Sequence, residues 1–282
     1  MKIHLIAFAL IVACVAPCRA PAEDVSAVDA AIDVVSIVDV PAPSFQSPVP
    51  SPQSPISAAE LLAECIARFP SEPFAMSGDI LTRKMYGVEI QTRKFKSVIY
   101  WDAQWFAAQY EIFMKDGTPL ETVRAARKGS DATVLQRFEG KAKTPAPAPA
   151  LNDAIAGSDV TWLDISMDFV WWTNPVFDSK KEDKVKDRNC YVVKVTPPSP
   201  IPGCAAVKLW IDKEQYAVLQ AVQLDEKGNE ARKMWVRSVQ KIDDRWLVKD
   251  IEVETPGSGR RTKIHVETAG KAGDEQETVP SR

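Results

Sequence analysis

The chain has 282 residues, 45% of them hydrophobic, with 35 basic and 38 acidic residues. That is enough for one large domain or two small ones, and near-balanced charge with no basic stripe argues against a nucleic-acid partner. The 21 Pro are clustered rather than spread, which marks spacers along the chain.

Residues 1–22, MKIHLIAFALIVACVAPCRAPA, read as an export signal: Lys2 is the basic end, Leu5 to Ala16 the apolar core, and Ala20-Pro21-Ala22 a small-residue cleavage site. The apolar run falls short of the ~20 residues a transmembrane helix needs. No later stretch approaches that length, so no membrane span is expected. Ile11-Val12-Ala13-Cys14 also resembles a bacterial lipobox, the alternative in which Cys14 anchors the chain to a membrane. Cleavage after Ala22 would lower the basic count from 35 to 33 against 38 acidic residues, a net charge of −5.

Residues 23–56 form a leader that ends in the Pro/Ser spacer SFQSPVPSPQSP, expected to have no core of its own. The folded domain is expected over 57–268, followed by a polar tail, 269–282. It opens with Ser57-Ala58-Ala59-Glu60, a capping box, and with Leu61, Leu62, Cys65, Ile66 and Phe69 at helical spacing. Pro70 and Pro73 end that helix, whose apolar side should lie on a sheet.

From Phe74 to Glu139 the pattern is of strands broken by turn signals, among them Lys115-Asp116-Gly117-Thr118. Val88, Ile90 and Thr92 alternate with Glu89, Gln91 and Arg93, as expected of a strand with one buried face. An Ala/Pro stretch, GKAKTPAPAPALND, then interrupts the sheet. It is followed by GSDVTWLDISMDFVWW, predicted helical, with Thr161 and Asp164 as a second capping pattern, Ser158 or Asp159 as the alternative caps, and Trp162, Ile165, Phe169 and Trp172 on one face. This segment lies between an Ala/Pro linker and the charged run DSKKEDKVKDRN, expected to be a solvated loop or mobile flap, so it reads as a hinged cover for an apolar cavity. The last third is a predicted antiparallel meander: VKLWID, YAVLQAVQL, EARKMWVRSVQ, RWLVKDIEVET and RTKIHVE, separated by DKEQ, DEKGN, KIDD and PGSGR.

Enzyme signatures are absent. After signal removal one His remains, His265, which excludes a two-His zinc site. There is no CxxC, GxGxxG or P-loop pattern. Neither metal nor cofactor is expected, and the chain is read as a binding protein rather than an enzyme. Of the three remaining Cys (Cys65, Cys190 and Cys204), Cys190 and Cys204 flank the turn-rich TPPSPIPG and are the disulfide candidates; three buried thiols are the alternative.

Three blocks make the chain resemble the LolA-like outer-membrane lipoprotein-sorting family. They are GSDVTWLDISMDFVWW, the run Val207-Lys208-Leu209-Trp210-Ile211-Asp212 with its acidic-Gly turn Asp225-Glu226-Lys227-Gly228, and the closing Trp246, Thr262 and Ile264. The resemblance implies an α+β fold, an unclosed antiparallel half-barrel of about ten strands with helices over its concave apolar face. It implies a periplasmic carrier whose partners are lipoproteins or lipid acyl chains. An envelope interaction module of the RseB type, binding a protein partner on the same scaffold, is the alternative. The expected ligand-binding residues of cavity and cover are Trp101, Trp162, Ile165, Phe169, Trp172, Trp210, Trp235 and Trp246. The basic residue that latches the cover has no match in sequence; Arg83, Arg93 and Arg124 are strand-borne candidates.

Overall fold

The computed structural model describes residues 56–70, 72–101, 104–178, 183–242 and 245–273, without the side chains of 241, 242, 245 and 246. The expected signal, the leader apart from Ile56, and residues 274–282 lie outside the described residues.

Helix α1 (Ala58–Ala67) starts as predicted: Ser57 accepts from the Glu60 amide and Glu60 from the Ser57 amide, closing the capping box. Leu61, Leu62, Cys65 and Phe69 are buried. Strands follow in two runs. The first is β1 (Phe74–Lys84), β2 (Glu89–Trp101), β3 (Trp105–Met114), β4 (Pro119–Lys128), β5 (Val134–Glu139) and β6 (Thr144–Ala146). The second is β7 (Val176–Phe177), β8 (Asp183–Val185), β9 (Arg188–Val195), β10 (Ala206–Asp212), β11 (Val218–Leu224), β12 (Glu230–Ile242), β13 (Arg245–Glu254) and β14 (Arg260–Lys271).

The strands form one antiparallel sheet in the order β6-β5-β4-β3-β2-β1-β14-β13-β12-β11-β10-β9-β7, with β8 also pairing β9. Two hairpin meanders are joined where the first and last strands meet, through Phe74↔Lys271 to Lys84↔Arg260. The sheet is unclosed, as expected, but has fourteen strands rather than about ten; β6, β7 and β8 are pieces of two or three residues at its two edges. The predicted turns form: Asp225 closes on Asn229 around Gly228 (φ 82°), and Met114 on Thr118 around Gly117 (φ 89°). β14 runs through Ala269 to Lys271, so the expected tail boundary at 269 falls inside a strand.

Three further expectations are corrected by register. First, Cys65, Cys190 and Cys204 are buried free thiols, and no Cys190–Cys204 disulfide forms. The TPPSPIPG loop brings Val195 to Val207, which sets Cys190 against Asp212. That is six residues along β10 from Ala206, some 20 Å at ~3.4 Å per residue, while Cys204 precedes β10. Second, Val88 and Ile90 are exposed, whereas Gln91 turns to the covered face and donates to the Ala156 carbonyl. Third, the charged run is not a plain loop: Asp183–Val185 pairs with β9, and residues 179–182 lie outside the described residues.

Candidate functional site

The chain leaves the sheet at one edge, β6, and re-enters at the other, β7, so residues 147–175 must cross a face of it. Thr161 and Asp164 form the predicted capping box and start α2 (Trp162–Ser166). The predicted helix does not continue. Met167 is left-handed (φ 50°) and ends α2, and a separate 3₁₀ turn runs from Asp168 to Trp171. Every residue from Ser158 to Trp172 is buried. A cover lying on a cavity would keep one wet side; a segment buried on all sides is part of an interior. The structure therefore corrects the hinged cover to a plug.

The plug shows how far the sheet curls. Asp164 lies 3.8 Å from Arg232 of β12, and Asp168 lies 3.2 Å from Arg127 of β4. The two acids are four residues apart, at most about 13 Å of backbone. Their partners stand six strands apart, about 29 Å across a flat sheet at ~4.8 Å per strand. That the short segment reaches both fits a sheet that curls around it.

Three buried carboxylates pin the plug. Asp159 accepts from Arg260 Nε at 3.0 Å and from Thr262 Oγ1 at 2.9 Å, both on β14. Asp164 accepts from the Thr161 amide at 2.8 Å and from its hydroxyl at 2.9 Å. Asp168 accepts from Trp172 Nε1 at 3.2 Å and from the Thr133 hydroxyl. The Arg127 guanidinium, buried beside Asp168, stacks 4.1 Å from the Trp171 ring. Tyr110 of β3 donates to the Ile165 carbonyl at 3.3 Å, and its ring packs on Trp162.

Burial pushes the carboxyls of Asp164 and Asp168 above the usual range, against the pull of Arg232 and Thr161 on the first and of Thr133, Arg127 and Trp172 on the second. A folded-state value above the unfolded one means that the native state holds the proton longer. Stability from these groups is then greatest in acid, below about pH 4, and is lost as pH rises through the folded values. Chemical denaturation of wild type and an Asp164→Asn/Asp168→Asn variant at pH 5 and pH 8 tests this. The variant should show the smaller fall; equal falls would refute the assignment.

Of the expected ligand residues, Trp101 (β2), Trp162, Ile165, Phe169 and Trp172 are brought together on the covered face, and all are buried. Trp210 and Trp235 are not among them. Leu209 and Ala221, paired with each other, face the core, which turns Trp210 and Gln220 to the opposite face, and Trp235 pairs with Gln220. There Trp210 donates to Asp183 of β8 at 2.8 Å, and Trp235 lies under the Arg261 guanidinium. Trp246, on β13, pairs with Lys241 of β12, and its side chain lies outside the described residues. Trp171, not among the expected residues, joins the group by contact with Phe69 and Phe106. Arg127, Arg232 and Arg260 reach the plug. The candidates Arg83 and Arg124 contact Glu252 and Gln109 instead, and Arg93 donates to the Thr92 carbonyl.

A small cavity of about 10 Å³ lies between the plug and β10–β12, lined by Leu163, Phe169, Val207, Ala221 and Met234 among others. A more open cleft of about 300 Å³ lies beside Trp172 and Asp168, walled by Pro149, Pro198, Pro200 and Leu135. Among the described residues no group of three or more His, Cys, Asp or Glu could hold a metal ion, and no helix is long and apolar enough to cross a membrane.

A family model described as "Uncharacterized protein" matches residues 143–273, the plug and the second meander. No curated protein matches the chain. Among solved structures, a DUF1329 family protein from Desulfovibrio piger is 16% identical over 77% of this chain and 93% of its own, with a TM-score of 0.65. A putative outer membrane lipoprotein-sorting protein domain from Vibrio parahaemolyticus is 14% identical over 78% and 94%, with a TM-score of 0.63. A LolA superfamily protein from Nitrosomonas europaea is 18% identical over 77% and 94%, with a TM-score of 0.59. The chain carries the LolA-like fold.

Proposed function

We propose that the protein is an exported carrier that binds a lipid or lipoprotein acyl chain in the space its own plug fills, in the periplasm and without catalysing a reaction. The observation that carries this reading is the plug: fifteen consecutive buried residues, Ser158 to Trp172, held in a curled sheet by three carboxylates. Their rings can leave an apolar lining behind. An acyl chain can replace them because hydrophobic burial is non-directional and scales with area, at roughly 25 cal/mol per Å². Exchange keeps binding reversible, since the ligand gains only the difference between its own burial and the plug's. The fold shared with a lipoprotein-sorting domain supports the same ligand class.

Native mass spectrometry of the protein purified from a periplasmic fraction should show an adduct of lipid mass. Protein that stays bare and takes up no hydrophobic dye or added fatty acid would sink the proposal. A stable protein partner in a pull-down, with no lipid, would favour the interaction module instead.

Competition between plug and ligand sets the sign of a mutational effect. Phe169, 1% exposed, packs edge-on to Trp172. Phe169→Ala should lower the stability of the bare protein by ~3–5 kcal/mol and tighten fatty-acid binding by on the order of tenfold, because the plugged state it competes with is weaker. Weaker binding would show that Phe169 is a ligand contact and not a competitor.

A further inference from the structure

The turn between β1 and β2, with the start of β2, carries Met85, Tyr86, Val88 and Ile90, which are 49, 98, 60 and 49% exposed. Large apolar side chains at such density are expected in a core, yet this tip is held away from one. Its backbone is satisfied without collapse: Gly87 donates to the Lys84 carbonyl and Lys84 to Val88. Gly87, at φ 92°, makes the tight turn available. The Met85 amide donates to the Gly259 carbonyl, and Lys115 pairs with Glu89 at 3.2 Å. The tip is thus braced by the β13–β14 turn on one side and the β3–β4 turn on the other.

Around its base the outward-facing charge is net positive: Lys84, Lys115, Arg83 and Arg260 stand against the exposed acids Glu89 and Asp116. Lys84 is exposed. Arg83 and Arg260 present side chains 34 and 38% exposed, while the carboxylates beneath them, Glu252 and Asp159, are 4 and 0% exposed.

We infer that this tip is a membrane contact, inserting Tyr86 and its apolar neighbours at the headgroup level of an anionic bilayer while Lys84 and the arginines meet lipid phosphates. Two arguments choose a bilayer over a protein. Four side chains expose a few hundred Å², well short of the ~800 Å² per partner of a stable interface. An amphipathic Tyr ringed by basic residues suits the membrane–water boundary, where Tyr is enriched and Lys and Arg extend toward the headgroups. The inference is independent of what the plugged cavity binds.

The test is flotation of the full chain carrying Cys14→Ser, so that no acyl anchor contributes, with vesicles of phosphatidylglycerol and phosphatidylethanolamine and with neutral phosphatidylcholine vesicles. Binding should favour the anionic vesicles, fall several-fold in 0.5 M salt (on the order of a 4 Å screening length), and drop at least tenfold in Tyr86→Asp/Val88→Asp. Both positions are exposed, so the melting temperature should not move; Tyr86→Ser/Val88→Ser repeats the test should the acidic pair disturb folding. Parent protein that does not float, or variants that float equally, would overturn the inference. So would a dimer in light scattering that the variants dissolve without any vesicle binding.

Discussion

Gly78→Ala should cost about 4 kcal/mol or more, at the upper end of single substitutions, although it adds one methyl group to a strand. A Cβ at this position would stand 1.9 Å from the His265 carbonyl oxygen, 2.9 Å from its carbon and 3.0 Å from the Val266 Cα. All three are backbone atoms and cannot rotate away. Gly78 sits where the register of β1 against β14 shifts, between Ser77 and Gly78, and close backbone approach at such irregularities is a recognised use of glycine. For a chain of this size the loss corresponds to a melting point lower by about 8–16 °C. Gly270→Ala, in the same strand pair, is the control: its Cβ meets nothing within 4 Å, so its midpoint should stay within ~1 kcal/mol of the parent. Matching midpoints for the two variants in guanidinium would refute the close approach.

Arg127→Met should destabilise the protein by ~3–5 kcal/mol at pH 8, as breaking a buried pair does, and by less at pH 5. The side chain is 2% exposed, 3.2 Å from Asp168, and donates to the Gly129 carbonyl. Without it Asp168 keeps Thr133 and Trp172 as its partners among the described residues, and the cation that held its carboxyl down is gone. Its folded-state value rises further, so the penalty grows as pH rises through that value and shrinks where the group is protonated. The plug should also loosen, seen as greater dye uptake at pH 8. A loss independent of pH would show that Arg127 acts through its stacking on Trp171 alone.

Local chemistry was legible in the sequence; register was not. Both capping boxes, at Ser57 and Thr161, and the Gly-centred turns follow from backbone donors and left-handed angles that only neighbouring residues decide. The strands of the meander follow from alternation. The facing of Trp210 and Trp235 depends on which residue each strand sets opposite its neighbour, and a shift of one residue inverts it. The same register separated Cys190 from Cys204. The α2 face predicted through Phe169 and Trp172 ends at Met167, whose left-handed backbone resets the helical period. Of the plug's anchors, Asp159, Asp164 and Asp168 were visible as acids in an apolar run. Their arginines lie far away in sequence and are found only once the sheet has curled.

The pairing of β1 with β14 makes the sheet's middle out of the chain's two distant parts and its edges out of the middle of the chain. Until β14 has been synthesised, β1 has only β2 beside it, and β13 is an open edge. Thr262, which bonds to Asp159, and Arg260 are also missing at that stage, so the plug lacks an anchor. Native-like closure therefore waits on the last strand, through contacts such as Thr82 with Thr262, 180 residues apart. Such long-range pairing slows folding. For an exported chain, as proposed above, that delay would be useful: the nascent protein would stay threadable until β14 arrives.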